Sequence, residues 1–457
     1  MQYTGDMTNR RIPIREQLAY SAIEIGANPI YTIVLSFLTF FYTDVLGINA
    51  GIVGTIILVS KIFDGISDIW AGNIIDHTHR KNGSARPWVL WSAIPMAVSY
   101  VFLFAVPNVN IVGKIVYIFV SYNFAMTLAF TFSQCAINSL PIFMSNDTKS
   151  RSSTYAIRLI VAGLVQAALS FVFLNIINAL GGNQSAWIIL AAILGTVSFL
   201  ASLVTYFGTR EYVAAAKDAS GNVPLKKAIH ALLHNKYWFM VLCIILITVL
   251  HQVATLTIGV YYAKYIMLNE TLAGNLILFH HGGGAVGMLI MPFLLQKGVS
   301  KRNATLFGGI VMTAGSLISV LFGAGTTLII SLAMRGCGFG IISSTYFGML
   351  ADTVEYGEWK TGIRTQAVTA CIGGVGQKLG SGLGTAAFGF ALASFGYNGL
   401  AAVQPEAAIT AIRVMFNVVP LFLYIGVIVL MLFYKLDKEY PKIQEELQER
   451  RRDENNE

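Results

Sequence analysis

Residues 48–72 carry the sequence INAGIVGTIILVSKIFDGISDIWAG, an apolar run long enough to cross a bilayer as a helix. Asp64 and Asp68 are four residues apart, so a helix places both carboxylates on one face, one turn apart. A carboxylate within hydrocarbon is costly and is normally retained beside water, a counter-charge or a bound cation. With Ser67 between them, the aspartates offer the oxygen ligands that a hard cation needs. A buried ion pair with Lys61, or a position near the membrane interface, is the alternative explanation.

The composition of the whole chain indicates a membrane protein. It is 55% apolar and 12% charged, with a mean hydropathy of +0.64, whereas about 25% of the residues of a soluble domain are charged. Apolar stretches recur along the entire length, which predicts an all-α polytopic membrane protein with twelve transmembrane helices. We place these helices at 19–43, 48–74, 88–106, 112–140, 154–179, 186–207, 237–266, 271–295, 304–323, 326–350, 365–394 and 405–434.

Basic residues are concentrated in alternate loops, which predicts the orientation of the chain. They precede helix one, follow helices two, four, eight and ten, and occupy the central loop, whereas the intervening loops are nearly free of them. By the positive-inside rule, both termini and the central loop face the cytoplasm of a multi-pass protein in the cell membrane. The net charge of +8 is then explained by the anionic inner leaflet, without a nucleic-acid partner. The N-terminal residues show no cleavable signal-peptide pattern.

The chain divides into two halves of six predicted helices. The N-terminal half covers 1–208, a polar central loop covers 209–236, the C-terminal half covers 237–434, and 435–457 form a tail. This is the arrangement of major-facilitator transporters, in which the solute site lies near the membrane midplane between the halves. The tail is too short for a further domain, and its composition predicts a charged, solvated extension.

Polar residues inside the predicted helices mark a candidate solute cavity. Helix one contributes an amide and an aromatic ring, helix four a polar stripe at spacings of three and four, and helices five and eleven one cation each. Snorkelling of the charged group to the membrane interface is the alternative explanation for both cations, although it is less easy for the lysine of helix eleven than for the arginine of helix five. The candidates are Asn28, Tyr31, Thr131, Gln134, Asn138, Arg158 and Lys378.

Other ionisable residues within the predicted helices have no evident partner. Arg335 in helix ten and Arg413 in helix twelve are intramembrane candidates of this kind. His251, His280 and His281 are of the residue type that forms proton relays, but a histidine beside glycines is more often structural.

Four stretches resemble a known family, and together they span nearly the whole chain. They are FFYTDV at 40–45, FDGISD at 63–68, GSARPWVL at 83–90 and ADTVEYGEWKTGIR at 351–364. The chain thereby resembles the glycoside-pentoside-hexuronide:cation symporters, the group of the melibiose and glucuronide permeases, within the major facilitator superfamily. This resemblance implies sugar uptake coupled to Na⁺, Li⁺ or H⁺.

The resemblance also assigns expected roles to residues. It implies that Asp64 and Asp68 bind the coupling cation, Na⁺ if the coupling is to sodium, with Ser67 and Thr131 beside them. The helix-five arginine and helix-eleven lysine of the family correspond to Arg158 and Lys378, which we expect to contact the solute. The melibiose permease has aspartates where this chain has Asn28 and Gln134, and a tryptophan where it has Asn138. Amides at those positions resemble the glucuronide branch and argue against melibiose itself.

The resulting hypothesis is a secondary active transporter that imports a small glycoside with a cation by alternating access. Each ligand would raise the affinity for the other by the same factor, and rocking of the halves would alternate access. We expect gating by charge pairing in the loops 76–86 and 352–364, which involve Asp76, Arg86, Asp352 and Arg364.

Several alternatives stay open from the sequence. The first is a glucuronide or hexuronide symporter, and the second is an antiporter of the same fold for a non-sugar solute. A sensor would need a signalling domain, and a membrane enzyme would need a nucleophile or metal cluster; we identify neither. We therefore expect a monomeric transporter rather than an enzyme, without a cofactor beyond its coupling cation, whose partners are sugar, cation and membrane lipid.

Overall fold

The computed structural model is helical along its length, which confirms the all-α membrane architecture. It describes residues 10–76, 78, 83–212, 232, 234–323, 325–362, 366–401 and 403–456. Eleven helices of the described chain are long and apolar enough to cross a membrane. Helix α11 completes the predicted set of twelve.

The helices follow the predicted apolar segments in order. The membrane helices are α1 (Ile14–Ser36), α2 (Ala50–Asp76), α3 (Arg86–Phe104), α4 (Ile111–Met144), α5 (Thr148–Ala179), α6 (Gln184–Gly208), α7 (Lys236–Tyr265), α8 (Ala273–Gln296), α9 (Lys301–Phe322), α10 (Thr326–Thr361), α11 (Gln366–Ser394) and α12 (Glu406–Phe433). Helix α1 is followed by short helical segments at Leu38–Phe40 and Phe41–Val45. A further helix, α13, covers Leu436–Asn456.

Helix α10 extends well beyond the predicted apolar segment 326–350. The segment beyond residue 350 is polar, but it contains no proline, and it packs against α7. The rings of Tyr356 and Tyr237 meet edge to face with their centroids 4.9 Å apart. The helix stops at Gly362, which adopts a left-handed conformation with φ of 70° that glycine tolerates at little cost. Hydropathy alone therefore placed this boundary too early.

The C-terminal segment is a docked helix, so its interpretation as a charged, solvated extension is wrong. Ile443 and Leu447 of α13 are buried against the hydrophobic cluster that contains Tyr237. The Trp359 indole N–H of α10 donates to Glu446, 2.6 Å away. Two apolar residues four positions apart are enough to give a charged helix one buried side. The average composition of the segment does not reveal such a stripe.

The chain forms two compact units. The first comprises Met1–Ala219, Ala263–Asn275 and Thr385–Ile409, and the second comprises Ser220–Tyr262, Leu276–Gly384 and Thr410–Glu457. The first unit thus contains the α7–α8 and α11–α12 connections together with the N-terminal helices. The sequence halves and these units therefore differ mainly in those two connections.

Helix α4 contains a π-helical segment at Asn123–Phe130. Such a segment adds one residue to a turn, so it changes which side chains face a neighbouring helix. Here it lies beside the aspartates of α2. Two other described π-helical segments occur at Phe41–Val45 and Val414–Val418.

Candidate functional site

Asp64 of α2 is in a buried ion pair with Lys61. The lysine Nζ lies 3.0 Å from Asp64 Oδ2, and Asp64 is only 1% exposed. The Thr127 hydroxyl donates to the other carboxylate oxygen, Oδ1, at 2.9 Å. Since an unpaired carboxylate is costly at such burial, both contacts stabilise its ionised form. The ion pair that the sequence left as an alternative is thus present, in the same place as the predicted cation ligands.

The other predicted cation ligands lie next to Asp64 on the facing surfaces of α2 and α4. Thr131 Oγ1 is 3.4 Å from Asp68 Oδ1 and 3.4 Å from Ser67 Oγ, which are long distances for hydrogen bonds. Ser67 also donates to the Asp64 carbonyl at 3.0 Å. The structure therefore brings all four predicted residues together as a set of carboxylate and hydroxyl oxygens.

Sequence reasoning missed three residues of this cluster. Thr127 and Asn123 belong to the π-helical segment of α4, and the Thr127 hydroxyl is 3.1 Å from Asn123 Oδ1. The Asn123 amide donates to Ser60 on α2 at 2.8 Å. Positions 123, 127 and 131 repeat every four residues, so an extension of the helix-four stripe towards the N-terminus would have identified Asn123 and Thr127, although not Ser60 of α2.

Arg158 of α5 is held by side chains of two other helices, α1 and α4. Its Nε lies 2.5 Å from Glu24 of α1, its Nη2 donates to Gln134 of α4 at 2.7 Å, and its Nη1 donates to Asn138 of α4 at 2.6 Å. Nη1 is also 3.3 Å from the Tyr20 hydroxyl. A guanidinium fixed in this way does not snorkel, so that alternative is wrong. The charge of Arg158 is compensated by Glu24.

Asn28 and Tyr31 extend this network along α1. The Asn28 side-chain amide donates to Glu24 at 3.3 Å, and the Thr32 hydroxyl lies 3.2 Å from the side-chain oxygen Oδ1 of Asn28. The Tyr31 ring stacks on Phe130 with centroids 5.9 Å apart and is partly exposed. Glu24 was not among the predicted site residues, although it precedes Asn28 by one turn on the same face. We name Glu24, Asn28, Gln134, Asn138 and Arg158 the polar network.

Lys378, the other predicted solute contact, belongs to the second unit. It lies within α11 and is partly buried. Its contact with the solute stays a prediction.

The predicted gating residues that the structure describes have partners within their own units. Lys301 donates to both carboxylate oxygens of Asp352 at 2.7 Å. The Arg86 guanidinium donates to the Tyr206 carbonyl at 2.7 Å. Arg364 and the side chain of Asp76 lie outside the described residues.

Glu211 holds the start of α3 in place. Its carboxylate accepts backbone N–H groups of Ser84, Ala85 and Arg86 at 2.7, 2.9 and 2.6 Å. Burial raises the pKa of the Glu211 carboxyl, while these donors lower it. The positive end of the helix dipole also stabilises the negative charge of a carboxylate at the first turn of the helix. These contacts hold the backbone of residues 84–86 at the start of α3.

A second buried carboxylate, Asp44, lies in the π-helical segment Phe41–Val45 that follows α1. It is 1% exposed by side chain and receives Lys264 Nζ at 2.7 Å. The Tyr265 and Tyr397 hydroxyls each donate to it at 2.6 Å. Lys264 and Tyr265 are the last residues of α7, Tyr397 lies in the α11–α12 connection, and all three belong to the first unit. We call Asp44, Lys264, Tyr265 and Tyr397 the Asp44 cluster; sequence reasoning did not find it, although Asp44 lies in one of the four resembling stretches.

Asp44→Asn is expected to destabilise the protein and to slow transport, because it leaves Lys264 without its counter-charge. Breaking a buried ion pair in this way costs about 3–5 kcal/mol. Thermal unfolding of the purified protein measures the loss. Asp44→Asn combined with Lys264→Met should recover part of the stability, since neither charge is then unpaired. An unchanged unfolding temperature in Asp44→Asn would show that the cluster contributes nothing.

The chain matches a family described as MFS/sugar transport protein over residues 19–438. It is 31% identical to the isoprimeverose transporter of Lactiplantibacillus pentosus, over 97% of this chain and 93% of that protein. It is 27% identical to the glucuronide carrier protein homolog of Escherichia coli (strain K12), over 97% of both chains.

Solved structures with the same fold include the nucleoside transporter NupG. That structure has a TM-score of 0.63 at 14% identity and covers 92% of this chain and 100% of its own. At that identity the likeness shows the fold alone. Because the family match covers most of the chain, the protein belongs to the MFS sugar transporters and has the twelve-helix major-facilitator fold.

Proposed function

We propose that this protein imports a small glycoside together with a cation, by alternating access across the cell membrane, with both termini in the cytoplasm. The observation that carries the proposal is the pair of adjacent polar sites in one unit: the oxygen cluster of α2 and α4, and the polar network of α1, α4 and α5. The relatives support it, since one is named an isoprimeverose transporter and another a putative glycoside/cation symporter.

The ion pair of Lys61 with Asp64 suggests how a cation would enter the cycle. The lysine ammonium neutralises Asp64, so an arriving cation competes with a tethered one. When the cation binds the oxygens of Asp64 and Asp68, the Lys61 ammonium is displaced and must find new contacts. That displacement would change the packing of α2 against α4. Because α4 also carries two members of the polar network, the binding of the cation and the binding of the sugar would be linked.

The polar network suits a neutral sugar. Arg158 is compensated by Glu24, so the network as a whole carries no net charge. Amide groups both donate and accept, which matches sugar hydroxyls. The partly exposed ring of Tyr31 offers an apolar face against which a sugar ring can pack.

Uptake into proteoliposomes tests the proposal. Gradients of Na⁺, Li⁺ and H⁺ are imposed one at a time. We expect labelled isoprimeverose, or a related small glycoside, to accumulate above its external concentration only under one of these gradients. Dissipating that gradient with an ionophore is the control, because it should reduce uptake to equilibration. Failure to bind any glycoside, with or without cation, would contradict the proposal and favour an antiporter for a non-sugar solute.

A glucuronide or hexuronide is the second candidate. It is supported by the similarity to a glucuronide carrier homolog and by the additional cation Lys378 in α11. The same uptake measurement, made with a glucuronide, distinguishes the two substrate classes.

A further inference from the structure

The π-helical segment of α4 brings to Asp64 two oxygen-bearing side chains that take no part in the proposed mechanism. Thr127 Oγ1 lies 2.9 Å from Asp64 Oδ1 and 3.1 Å from Asn123 Oδ1. Both α4 residues belong to the segment Asn123–Phe130, and both are partly exposed. Three oxygen atoms of three different chemical groups therefore meet at one side of the carboxylate. We name Asp64, Asn123 and Thr127 the oxygen triad.

The orientation of the Asn123 amide is fixed by its neighbours. Its nitrogen Nδ2 donates to the Ser60 hydroxyl of α2 and to the Phe119 carbonyl, each at 2.8 Å. Since a carbonyl can only accept, the reverse orientation of the amide would set the Asn123 oxygen against the Phe119 oxygen. The atom that faces Thr127 is therefore Asn123 Oδ1, which accepts hydrogen bonds and carries no proton.

The oxygen triad has one proton for two short oxygen–oxygen contacts. The ionised carboxylate of Asp64 and the amide oxygen of Asn123 carry no proton, and the Thr127 hydroxyl carries one. That proton can form a strong hydrogen bond to Asp64 Oδ1 or to Asn123 Oδ1, but not to both. The other contact is then an approach of two lone pairs with no hydrogen between them. A cation placed among the three oxygens would remove this repulsion.

The neighbouring hydroxyls direct their protons to the backbone. Ser67 donates to the Asp64 carbonyl at 3.0 Å. Thr131 donates to the Met126 carbonyl at 3.1 Å, which is nearer than its contact with Asp68 Oδ1 at 3.4 Å. Met126 precedes Thr131 by five residues, the spacing of a π-helix, so the π-helical segment supplies this acceptor. The lone pairs of both hydroxyls are thereby left for a ligand on the side of the aspartates.

A set of oxygens with more lone pairs than protons suits a metal cation. Carboxylate, amide and hydroxyl oxygens are hard ligands, and a hard cation binds several of them at once, whereas a proton is satisfied by one carboxylate and one acceptor. The tethered ammonium of Lys61 lies on Asp64 Oδ2, so the triad is at the other oxygen, Oδ1. The carboxylates of Asp64 and Asp68 and the ammonium of Lys61 together carry one negative charge, which a monovalent cation neutralises.

We propose that Thr127 and Asn123 are further ligands of the coupling cation, and that this cation is an alkali metal ion, Na⁺ or Li⁺, rather than a proton. This inference rests on the proposed symport and adds two residues to the cation ligands that the family resemblance implies. When the ion binds Asp64 Oδ1, the Thr127 hydroxyl turns its proton away and offers a lone pair. Because Asn123 is also held by Ser60, the bound ion joins α2 to the π-helical segment of α4.

Equilibrium binding of radioactive sodium to the purified protein tests the two ligands. Thr127→Val keeps the shape of the side chain and removes its oxygen, and we expect it to lower the affinity for Na⁺ by roughly tenfold or more. Asn123→Ala, which removes the amide oxygen, should act in the same direction, and Thr127→Ser should restore most of the affinity. Thr196→Val is the control, because Thr196 of α6 is exposed and donates to the Ala192 carbonyl of its own helix.

The affinity for a labelled glycoside separates a cation ligand from a structural threonine. At saturating Na⁺, Thr127→Val should bind the glycoside within about twofold of the native affinity, and at low Na⁺ it should bind more weakly than the native protein. An equal loss of glycoside affinity at both Na⁺ concentrations would assign Thr127 a structural role and overturn the inference. Native Na⁺ affinity in both Thr127→Val and Asn123→Ala would overturn it as well.

Measurements on the native protein keep the inference testable if neither variant folds. The unfolding temperature should be higher in NaCl or LiCl than in choline chloride of the same ionic strength, and equal temperatures in all three salts would overturn the inference. Accumulation of the glycoside under a proton gradient, in the absence of Na⁺ and Li⁺, would overturn the inference and leave the proposed function intact. Sodium binding that Thr127→Val weakens, without glycoside uptake under any gradient, would instead overturn the proposed function and leave the two ligands assigned.

Discussion

Asp64→Asn is expected to abolish cation-driven accumulation of the sugar while energy-independent exchange of sugar persists. The substitution removes the charge that would hold the cation but keeps the size of the side chain, and it does not touch the polar network. It also leaves Lys61 without its counter-charge. The ratio of internal to external labelled sugar in proteoliposomes, with and without a cation gradient, measures the effect.

Asp68→Asn should give the same loss of accumulation, because Asp68 lies in the same oxygen cluster. Its folding should be less affected than that of Asp64→Asn, since the Asp68 side chain is less deeply buried than that of Asp64. Asp147→Asn is a matched control: Asp147 caps α5 and lies away from the cluster. Full cation-stimulated accumulation in both Asp64→Asn and Asp68→Asn would sink the assignment of the cation site.

Glu24→Gln is expected to reduce both stability and sugar transport strongly. It leaves the Arg158 guanidinium buried with only amide and hydroxyl partners, and an uncompensated charge of this kind costs about 3–5 kcal/mol. Transport should fall by a factor of roughly a hundred or more, because the same substitution also changes the hydrogen bonds of Asn28. Thermal unfolding and initial uptake rates measure the two effects separately.

The double variant Glu24→Gln with Arg158→Gln separates stability from function. Removal of both charges should restore much of the stability, whereas transport should stay low because the hydrogen-bonding geometry for the sugar is lost. Lys442→Gln is the control for a broken ion pair, since Lys442 pairs with Glu446 at an exposed site and should change neither measurement. If Glu24→Gln transported sugar at the native rate, the polar network would not be the sugar site.

Local sequence patterns predicted the helices and the faces on which most of the site residues lie. Twelve apolar runs specify twelve helices, because a chain within a bilayer must satisfy its backbone hydrogen bonds internally. The spacing of four between Asp64 and Asp68, and the stripe on helix four, place side chains on common faces by the same local geometry. Those rules located most of the oxygen cluster and part of the polar network, and the hydropathy of isolated stretches misjudged the end of α10 and the tail.

The fold class, the helices and the faces on which the ionisable groups lie follow from local sequence, since they depend on residues within one or two turns of each other. The partners of the buried charges depend on tertiary packing. Glu24 and Arg158 are 134 residues apart, and Asp44 and Lys264 are 220 apart. A buried charge requires a partner but does not specify which one, because any cation that packing brings within about 3 Å will serve. The packing of helices distant in sequence therefore selected these pairs, and it left Arg335 without a carboxylate among the described residues.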